Sequence, residues 1–267
     1  MTDTDPLPRL TTPGVNNLRD VGGHVTTSGA RVRTDVLYRS GHLDHADDDE
    51  FESFAGLGLG TVFDLRTLGE RELLEGRVPQ GVRVLHLDVL ADAESSLSVH
   101  LVDIFTDTVA VETVLRSGEI RKHYLGTYRD LVLLDSARSA YRSMFTELAE
   151  RDDVTLFHCT AGKDRTGWAA AALLWLLGVT DDAITEDYLR SNEPVIATFR
   201  PLIDKFEAAG GDPDLLIPAF RVEAEYLDAS RDAVTSHFGG IEGYFDDGLG
   251  LGADVRARLR ERFLTDA

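Results

Sequence analysis

An apolar run, a polar turn and an apolar helix follow one another in the middle of the chain, and together they restrict its fold more than any other feature. Val154 to Phe157 are apolar or β-branched and form a short, bounded run, which is typical of a buried strand. From Trp168 the chain is rich in alanine and leucine until Gly178, which predicts a helix that ends at a glycine. The loop between them lies at a helix N-terminus, where unpaired backbone N–H groups and the helix dipole favour an anion. The unit predicts an anion site at a helix N-terminus. The strand, helix, strand order earlier in the chain predicts an α/β fold with function near the carboxyl ends of the strands.

This loop contains the only cysteine of the chain and, six residues later, an arginine. The helix N-terminus and the guanidinium group favour the thiolate form of Cys159, which is the form that attacks phosphorus. Arg165 offers a planar fork for two phosphoryl oxygens, a geometry that lysine cannot match. Gly162 permits a tight backbone turn beneath the anion. The combination predicts a phosphatase that forms a phosphocysteine intermediate and requires no metal or other cofactor.

A proton donor is also needed, because the leaving alkoxide or phenoxide must be protonated and a later water needs a base. Asp164 lies inside the loop beside the arginine, and a carboxyl group suits both tasks. Its structural alternative is to hold loop amides or to pair with Arg165. Three other aspartates could approach from a strand end or from an inserted lid: Asp64, Asp88 and Asp92.

The remaining loop residues are predicted to bind the phosphoryl group or to assist the cysteine. Thr160, Ala161 and Gly162 form the cradle of backbone N–H groups. Thr166 can donate its hydroxyl to the cysteine sulfur and help the thiolate to leave. Lys163 adds a second cation at the mouth, which suits polyanionic substrates such as phosphoinositides as well as phosphotyrosine. Its alternative role is that of a solvated surface charge.

Other classes of protein explain the loop less well. Gly162 followed by Lys163 also occurs in NTP-binding loops, but that motif needs a glycine five residues earlier and a serine or threonine after the lysine. Here those positions hold Phe157 and Asp164. A buried structural cysteine would not account for the glycine, lysine, arginine and threonine around it. Two alternatives stay open: a non-catalytic module that binds phospho-ligands on the same fold, and another thiol chemistry such as sulfur transfer or arsenate reduction. Arsenate reduction usually enlists further cysteines, which this chain lacks.

The charge, the cysteine count and the apolar segments indicate which partners and which location to expect. A formal net charge of −20 over 267 residues disfavours nucleic acid, which is bound by clusters of lysine and arginine. A single cysteine cannot form an intramolecular disulfide. The first residues lack the basic and apolar segments of a signal peptide, and no apolar run is long enough to span a bilayer. We therefore expect a cytoplasmic monomer without an integral membrane segment, with export by a route that needs no signal peptide left open.

Strand and helix patterns alternate before the loop, and helices follow it. Residues 1–13 are predicted to form a flexible N-terminus. Residues 88–120 show no decisive period, so an inserted lid is predicted over about 88–135. We predict one domain, 1–267. Its strands are predicted at 36–40, 61–66, 82–87 and 154–157, and its helices at about 47–57, 70–74, 121–134, 136–150, 168–177, 181–189, 199–206, 215–237 and 255–263.

The same residues carry a family resemblance. The sequence HCTAGKDRTG at 158–167 resembles the signature loop of the protein tyrosine phosphatase superfamily, and its Gly-Lys-Asp-Arg centre is similar to that of an atypical bacterial group. Further segments resemble that group: NLRDV at 17–21, YRS at 38–40, DLR at 64–66, DYLRSN at 187–192, AEYL at 224–227 and GGIEGY at 239–244.

The resemblance covers nearly the whole chain and is weakest between about 88 and 120. It implies a mostly parallel sheet of four or five strands flanked by helices, with a helical lid over the site. It also implies broad specificity for phosphotyrosine, phosphoserine or phosphothreonine, and phosphoinositides. In that group the loop aspartate replaces the mobile-loop acid of animal enzymes, which favours Asp164 as the general acid.

Overall fold

A computed structural model describes residues 15–43, 48–93 and 108–265 of the chain. Within these ranges a five-stranded sheet has the spatial order β1-β2-β5-β3-β4. The first strand runs antiparallel to its neighbour and the other pairs are parallel, so the predicted α/β class and mostly parallel sheet are confirmed. The strands are β1 (Arg19–Asp20), β2 (Leu37–Ser40), β3 (Leu59–Asp64), β4 (Arg83–His86) and β5 (Val154–His158).

The parallel strands end at the same edge of the sheet. Ser40 at the end of β2 and Asp64 at the end of β3 both lie in register with His158 at the end of β5. His86, the last residue of β4, lies in register with Asp64. Because β5 is the central strand, the cysteine loop that follows it emerges between the ends of two neighbouring strands.

Helices cover the sheet, and the four strands predicted from the sequence are confirmed with ends shifted by at most two residues. The helix after the loop begins three residues earlier than its apolar run predicts, so Arg165 lies in its first turn. The described helices are α1 (Asp48–Ala55), α2 (Leu68–Leu73), α3 (Thr108–Arg116), α4 (Glu119–Leu133), α5 (Asp135–Glu150), α6 (Arg165–Leu176), α7 (Asp181–Leu189), α8 (Asn192–Ala208), α9 (Pro213–Leu216), α10 (Ala224–Phe238), α11 (Ile241–Gly243) and α12 (Ala253–Phe263).

The prediction of one helix over 215–237 is wrong in its first third. The chain forms α9, a 3₁₀ turn at Ile217–Ala219 and only then α10. Pro218 has no N–H group to continue the α-helical pattern. The side chain of Asn192 accepts a hydrogen bond from the N–H of Val222 at 2.6 Å and donates one to its carbonyl oxygen at 3.0 Å. Because this contact satisfies the hydrogen-bonding groups of the Val222 backbone outside a helix, α10 starts two residues later.

The helices α3, α8 and α9 share a small core that is separate from the main one. Ala161 of the cysteine loop packs against this core, whereas α4 belongs to the main core. Residues 94–107 of the predicted lid and the predicted flexible N-terminus, 1–13, lie outside the described residues. The lid therefore stays a prediction. No helix in the described ranges combines the length and the apolar character needed to cross a membrane.

Candidate active site

The cysteine loop connects β5 to α6 and packs closely against the end of β2. Gly162 has a φ of 67°, in the left-handed region that favours glycine. A Cβ atom on Gly162 would lie only 2.4 Å from the carbonyl oxygen of Ser40. The carbonyl oxygen of Thr160 accepts a hydrogen bond from the N–H of His42 at 3.0 Å. The loop is thus fixed to the segment that follows β2, and only glycine fits at its tightest point.

Cys159 is buried at the start of this loop, with 2% of its surface exposed. Neighbouring His158 is buried too, and burial lowers its pKa to about 4, so its imidazole is neutral at pH 7. Its Nδ1 lies 3.1 Å from the carbonyl oxygen of Cys159 and carries the proton, because a carbonyl oxygen only accepts. The positive charge near the sulfur therefore comes from arginine and not from this histidine.

Arg165, predicted as the phosphate clamp, is held by a residue that the sequence analysis did not select. Its Nη1 and Nη2 donate to the two carboxylate oxygens of Glu70 at 2.5 and 2.7 Å. Thr160 donates its hydroxyl to the same carboxylate. Burial favours the neutral carboxyl group, but the hydrogen bonds and charge of Arg165 outweigh it and hold the pKa of Glu70 well below its usual range. Glu70 thus ties both ends of the loop to α2.

The sequence did contain a signal for Glu70. Thr67 and Glu70 form a capping box at the start of α2, in which each side chain accepts a hydrogen bond from the other residue's N–H group. This Thr-x-x-Glu pattern follows β3 closely, and β3 ends at the same edge of the sheet as β5. A capping box at that edge places a carboxylate beside the loop.

Asp164 and Lys163 lie together with a buried tyrosine. Lys163 Nζ lies 3.0 and 2.9 Å from the two carboxylate oxygens of Asp164, and the hydroxyl of Tyr128 donates to one of them at 2.9 Å. Lys163 Nζ also lies 4.3 Å from the ring centre of Tyr124. The lysine side chain is only 7% exposed, so it is not a solvated surface charge. Burial alone would lower the pKa of Lys163, but Asp164 and Tyr124 raise it well above its usual range and keep the side chain protonated.

Thr166 lies in the first turn of α6 and is completely buried. Its hydroxyl has no hydrogen-bond partner in the parts of the chain that the structure covers. A buried hydroxyl without a partner is unfavourable. The group is therefore available for the predicted donation to the cysteine sulfur.

The three competing aspartates already make other contacts. Asp64 accepts hydrogen bonds from Nε and Nη2 of Arg66 at 2.9 and 2.8 Å, and burial, which raises its pKa, is outweighed by these bonds and by neighbouring positive charge. Asp88 accepts from the N–H groups of Leu68 and Leu90. Asp92 accepts from the N–H and the hydroxyl of Ser136. Across the described ranges no group of three or more His, Cys, Asp or Glu side chains is arranged to hold a metal ion.

Comparison with known proteins gives consistent family descriptions. The sequence model of the tyrosine phosphatase family matches residues 10–265. A Cupriavidus necator protein, provisionally named a tyrosine-protein phosphatase, is 34% identical over 250 residues, which cover 94% of this chain and 86% of the relative. The triple specificity protein phosphatase PtpB of Mycobacterium tuberculosis is 31% identical over 275 residues, which cover 93% of this chain and 96% of PtpB. A crystal structure of Pseudomonas aeruginosa TpbA in complex with phosphotyrosine is 21% identical, covers 79% of this chain and 98% of TpbA, and has a TM-score of 0.32.

Proposed function

Since the chain belongs to the tyrosine phosphatase family, we propose that it hydrolyses phosphotyrosine esters through a phosphocysteine intermediate on Cys159. One observation carries the proposal: the only cysteine of the chain is buried in a glycine-containing loop at the carboxyl end of the central strand, and the loop ends in an arginine. Burial by itself disfavours a thiolate, so in this proposal the charge of Arg165 and the N–H groups at the start of α6 stabilise it.

Arg165 binds the phosphoryl group in this mechanism. Glu70 occupies the end of the guanidinium fork, through one N–H of each Nη atom. Nε has no partner among the described residues, so Nε–H and the outer N–H of Nη2 remain for two equatorial oxygens of the substrate. Glu70 therefore orients the arginine and leaves its Nε–H and outer Nη2 N–H groups for the phosphate. Charge on the equatorial oxygens grows in the transition state and is stabilised by the arginine and the loop N–H groups.

Two displacements complete the reaction. The thiolate of Cys159 attacks phosphorus, the bond to the leaving oxygen breaks, and that oxygen takes a proton from Asp164. Water then attacks the phosphocysteine, Asp164 accepts its proton, and the phosphorus–sulfur bond breaks to release inorganic phosphate. Thr166 donates a hydrogen bond to the departing sulfur. Lys163 and Tyr128 hold the carboxyl group of Asp164 in place for both steps.

The substrate range extends beyond phosphotyrosine in this proposal. The relative PtpB is described as a triple specificity phosphatase. The loop of this chain contains Lys163 in addition to Arg165, and both remain positively charged. We therefore include phosphoserine or phosphothreonine and phosphoinositides among the substrates, to be separated by a panel of phosphopeptides and phosphoinositide vesicles.

The purified protein tests the function directly with a chromogenic aryl phosphate. Turnover is expected in the presence of a chelator of divalent metals and is expected to disappear in Cys159→Ser. Activity that survives this substitution, or that needs a divalent metal, would contradict the proposal. A protein that binds phosphopeptides but turns over no phosphomonoester would be a binding module instead.

A further inference from the structure

Three buried charges and an asparagine lie beside the cysteine loop and have no part in the mechanism above. Arg39 on β2 donates to one carboxylate oxygen of Asp187 on α7 at 2.9 Å, and Arg19 on β1 donates to the other at 3.0 Å. Arg39 is only 1% exposed. Asn17 accepts a hydrogen bond from Arg19, so all four side chains form one network.

The network reaches the loop through two carbonyl oxygens. Arg39 Nη2 donates to the carbonyl oxygen of Gly162 at 3.0 Å. Asn17 Nδ2 donates to the same oxygen at 2.9 Å and to that of Ala161 at 3.2 Å. In a trans peptide unit the C=O and N–H groups point in opposite directions. The bonds that hold these carbonyls therefore also fix the N–H groups of Gly162 and Lys163, which face the opposite way. The N–H of Gly162 belongs to the predicted phosphate cradle, and that of Lys163 follows it in the same loop.

The network itself contains two arginines and one carboxylate. Arg165 is matched by Glu70, and Lys163 is matched by Asp164. Arg19 and Arg39 share the single carboxylate of Asp187. Nearby His24 does not add a stable charge, because burial lowers its pKa. An excess buried cation is costly unless another anion is close.

The thiolate of Cys159 is the anion that can match this charge. Burial and the charge of Arg19 lower the pKa of Arg39 to about 9, whereas the negative charges of Asp187 and Cys159 raise it. The geometry agrees with such an interaction, because the 3.0 Å hydrogen bond to the carbonyl oxygen of Gly162 places the guanidinium group of Arg39 against the loop that carries Cys159. The titratable groups that face Arg39 are Arg19, Asp187, Cys159 and Tyr128. Those that interact with the sulfur are Arg39 from β2, Arg165 from α6 and Tyr141 from α5.

We propose that Arg39 is a positioning residue of the phosphatase reaction: it fixes the loop through Gly162 and supplies the buried positive charge that the Cys159 thiolate requires. The proposal rests on the function proposed above. Arg39 does not touch the substrate in this account and acts through the sulfur and the loop.

The single cysteine allows the charge role to be measured without turnover. The rate at which iodoacetamide alkylates the protein is recorded against pH, and its midpoint reports thiolate formation at Cys159, since the chain has no other thiol. Arg39→Met is expected to move the midpoint to higher pH by about one unit or more, the size of shift that loss of a neighbouring opposite charge produces. Arg39→Lys keeps a charge but cannot bridge Gly162 and Asp187 as a fork, so the midpoint is retained while kcat falls.

Two further variants separate charge from loop position. Asn17 has a φ of 58°, which glycine tolerates without strain. Asn17→Gly therefore removes the two bonds from Asn17 to the loop, together with its contact to Arg19, without a change of charge. It is expected to lower kcat by about tenfold or more, as loss of preorganised N–H groups does, at an unchanged midpoint. Arg262 is the control for Arg39→Met, because it is a half-buried arginine that donates to backbone carbonyls but lies at the opposite end of β5. Arg262→Met should leave the midpoint of alkylation in place.

The outcomes distinguish this proposal from the function it rests on. An alkylation midpoint that is the same in wild type and in a folded Arg39→Met variant would overturn the charge role. If Arg39→Met does not fold, the folded Arg39→Lys and Asn17→Gly variants decide the positioning role: wild-type kcat in both would overturn it. A wild-type protein without phosphatase activity would refute the proposed function, whereas the alkylation profile would still be measurable.

Discussion

Arg165 and Glu70 lie 95 positions apart in the chain and meet through two hydrogen bonds at the centre of the site. Of these two residues, only the arginine was recognised from the sequence. The arginine is recognisable from its spacing to Cys159, because both belong to one loop. The glutamate is one of many acidic residues in an acidic chain, and only the fold brings it to the arginine.

Glu70→Gln removes the charge that orients Arg165 while it keeps the size of the side chain. The guanidinium is then free to turn away from the phosphate, and kcat is expected to fall by about 10-fold to 100-fold. Initial rates with an aryl phosphate measure the effect. Glu72→Gln is the matched control, since Glu72 lies exposed on the same helix. Equal rates for both variants would show that Glu70 does not orient the arginine.

The acid role of Asp164 predicts a dependence on the leaving group. Asp164→Asn cannot donate a proton, so kcat should fall by about 100-fold or more for aryl phosphates with poor leaving groups and much less for those with good ones. Asp92→Asn serves as the comparison, because Asp92 was a competing candidate and contacts Ser136 instead. A steeper leaving-group dependence in Asp92→Asn than in Asp164→Asn would transfer the role.

At the scale of elements, the strand, loop and helix around Cys159 were predictable because hydrophobic pattern and turn residues act locally. The start of α10 was not, because it depends on the contact between Asn192 and Val222, which are 30 positions apart. The hydrogen bond that fixes the cysteine loop was not predictable either, because Arg39 and Gly162 are 123 positions apart. Local pattern thus predicts the loop itself, whereas the contacts that shape it arise from the sheet order.

The loop conformation can be tested with a pair of glycines that both have positive φ. Gly29 has a φ of 90° with open space around its Cα, whereas a Cβ on Gly162 would meet the backbone of Ser40. Gly29→Ala should cost about 1–2 kcal/mol of unfolding free energy from backbone strain alone. Gly162→Ala should cost more and should also abolish most activity, because the loop must shift. Urea denaturation and initial rates measure the two effects, and equal losses in both variants would contradict the close packing of the loop.

At the scale of the whole molecule, one buried carboxylate connects β1, β2 and α7. Asp187 is 4% exposed and pairs with Arg19 and Arg39, which lie 168 and 148 positions earlier in the chain. Burial raises its pKa, but the two arginines outweigh this and hold the pKa well below its usual range. A depressed pKa in the folded state contributes stability that is present above the unfolded value of about 3.8 and is lost as the pH falls further.

Asp187→Asn should therefore destabilise the protein at pH 7 by about 3–5 kcal/mol, since it leaves two buried guanidinium groups without their partner. The variant should also lose less stability than wild type when the pH is lowered from about 5 to 3, because the titrating group is gone. Asp204→Asn removes an exposed pair with Arg200 and should cost at most about 1 kcal/mol. Denaturation at several pH values checks both effects, and similar costs for the two variants would contradict the structural role of Asp187.

The phosphocysteine intermediate on Cys159 can be detected directly by mass spectrometry. Wild-type protein is mixed with an aryl phosphate, quenched during turnover and digested, and the peptide that contains Cys159 is analysed by mass spectrometry. One phosphoryl group is expected on the sulfur of Cys159. Turnover with the phosphoryl group on another residue, or continued turnover by Cys159→Ser, would contradict this expectation.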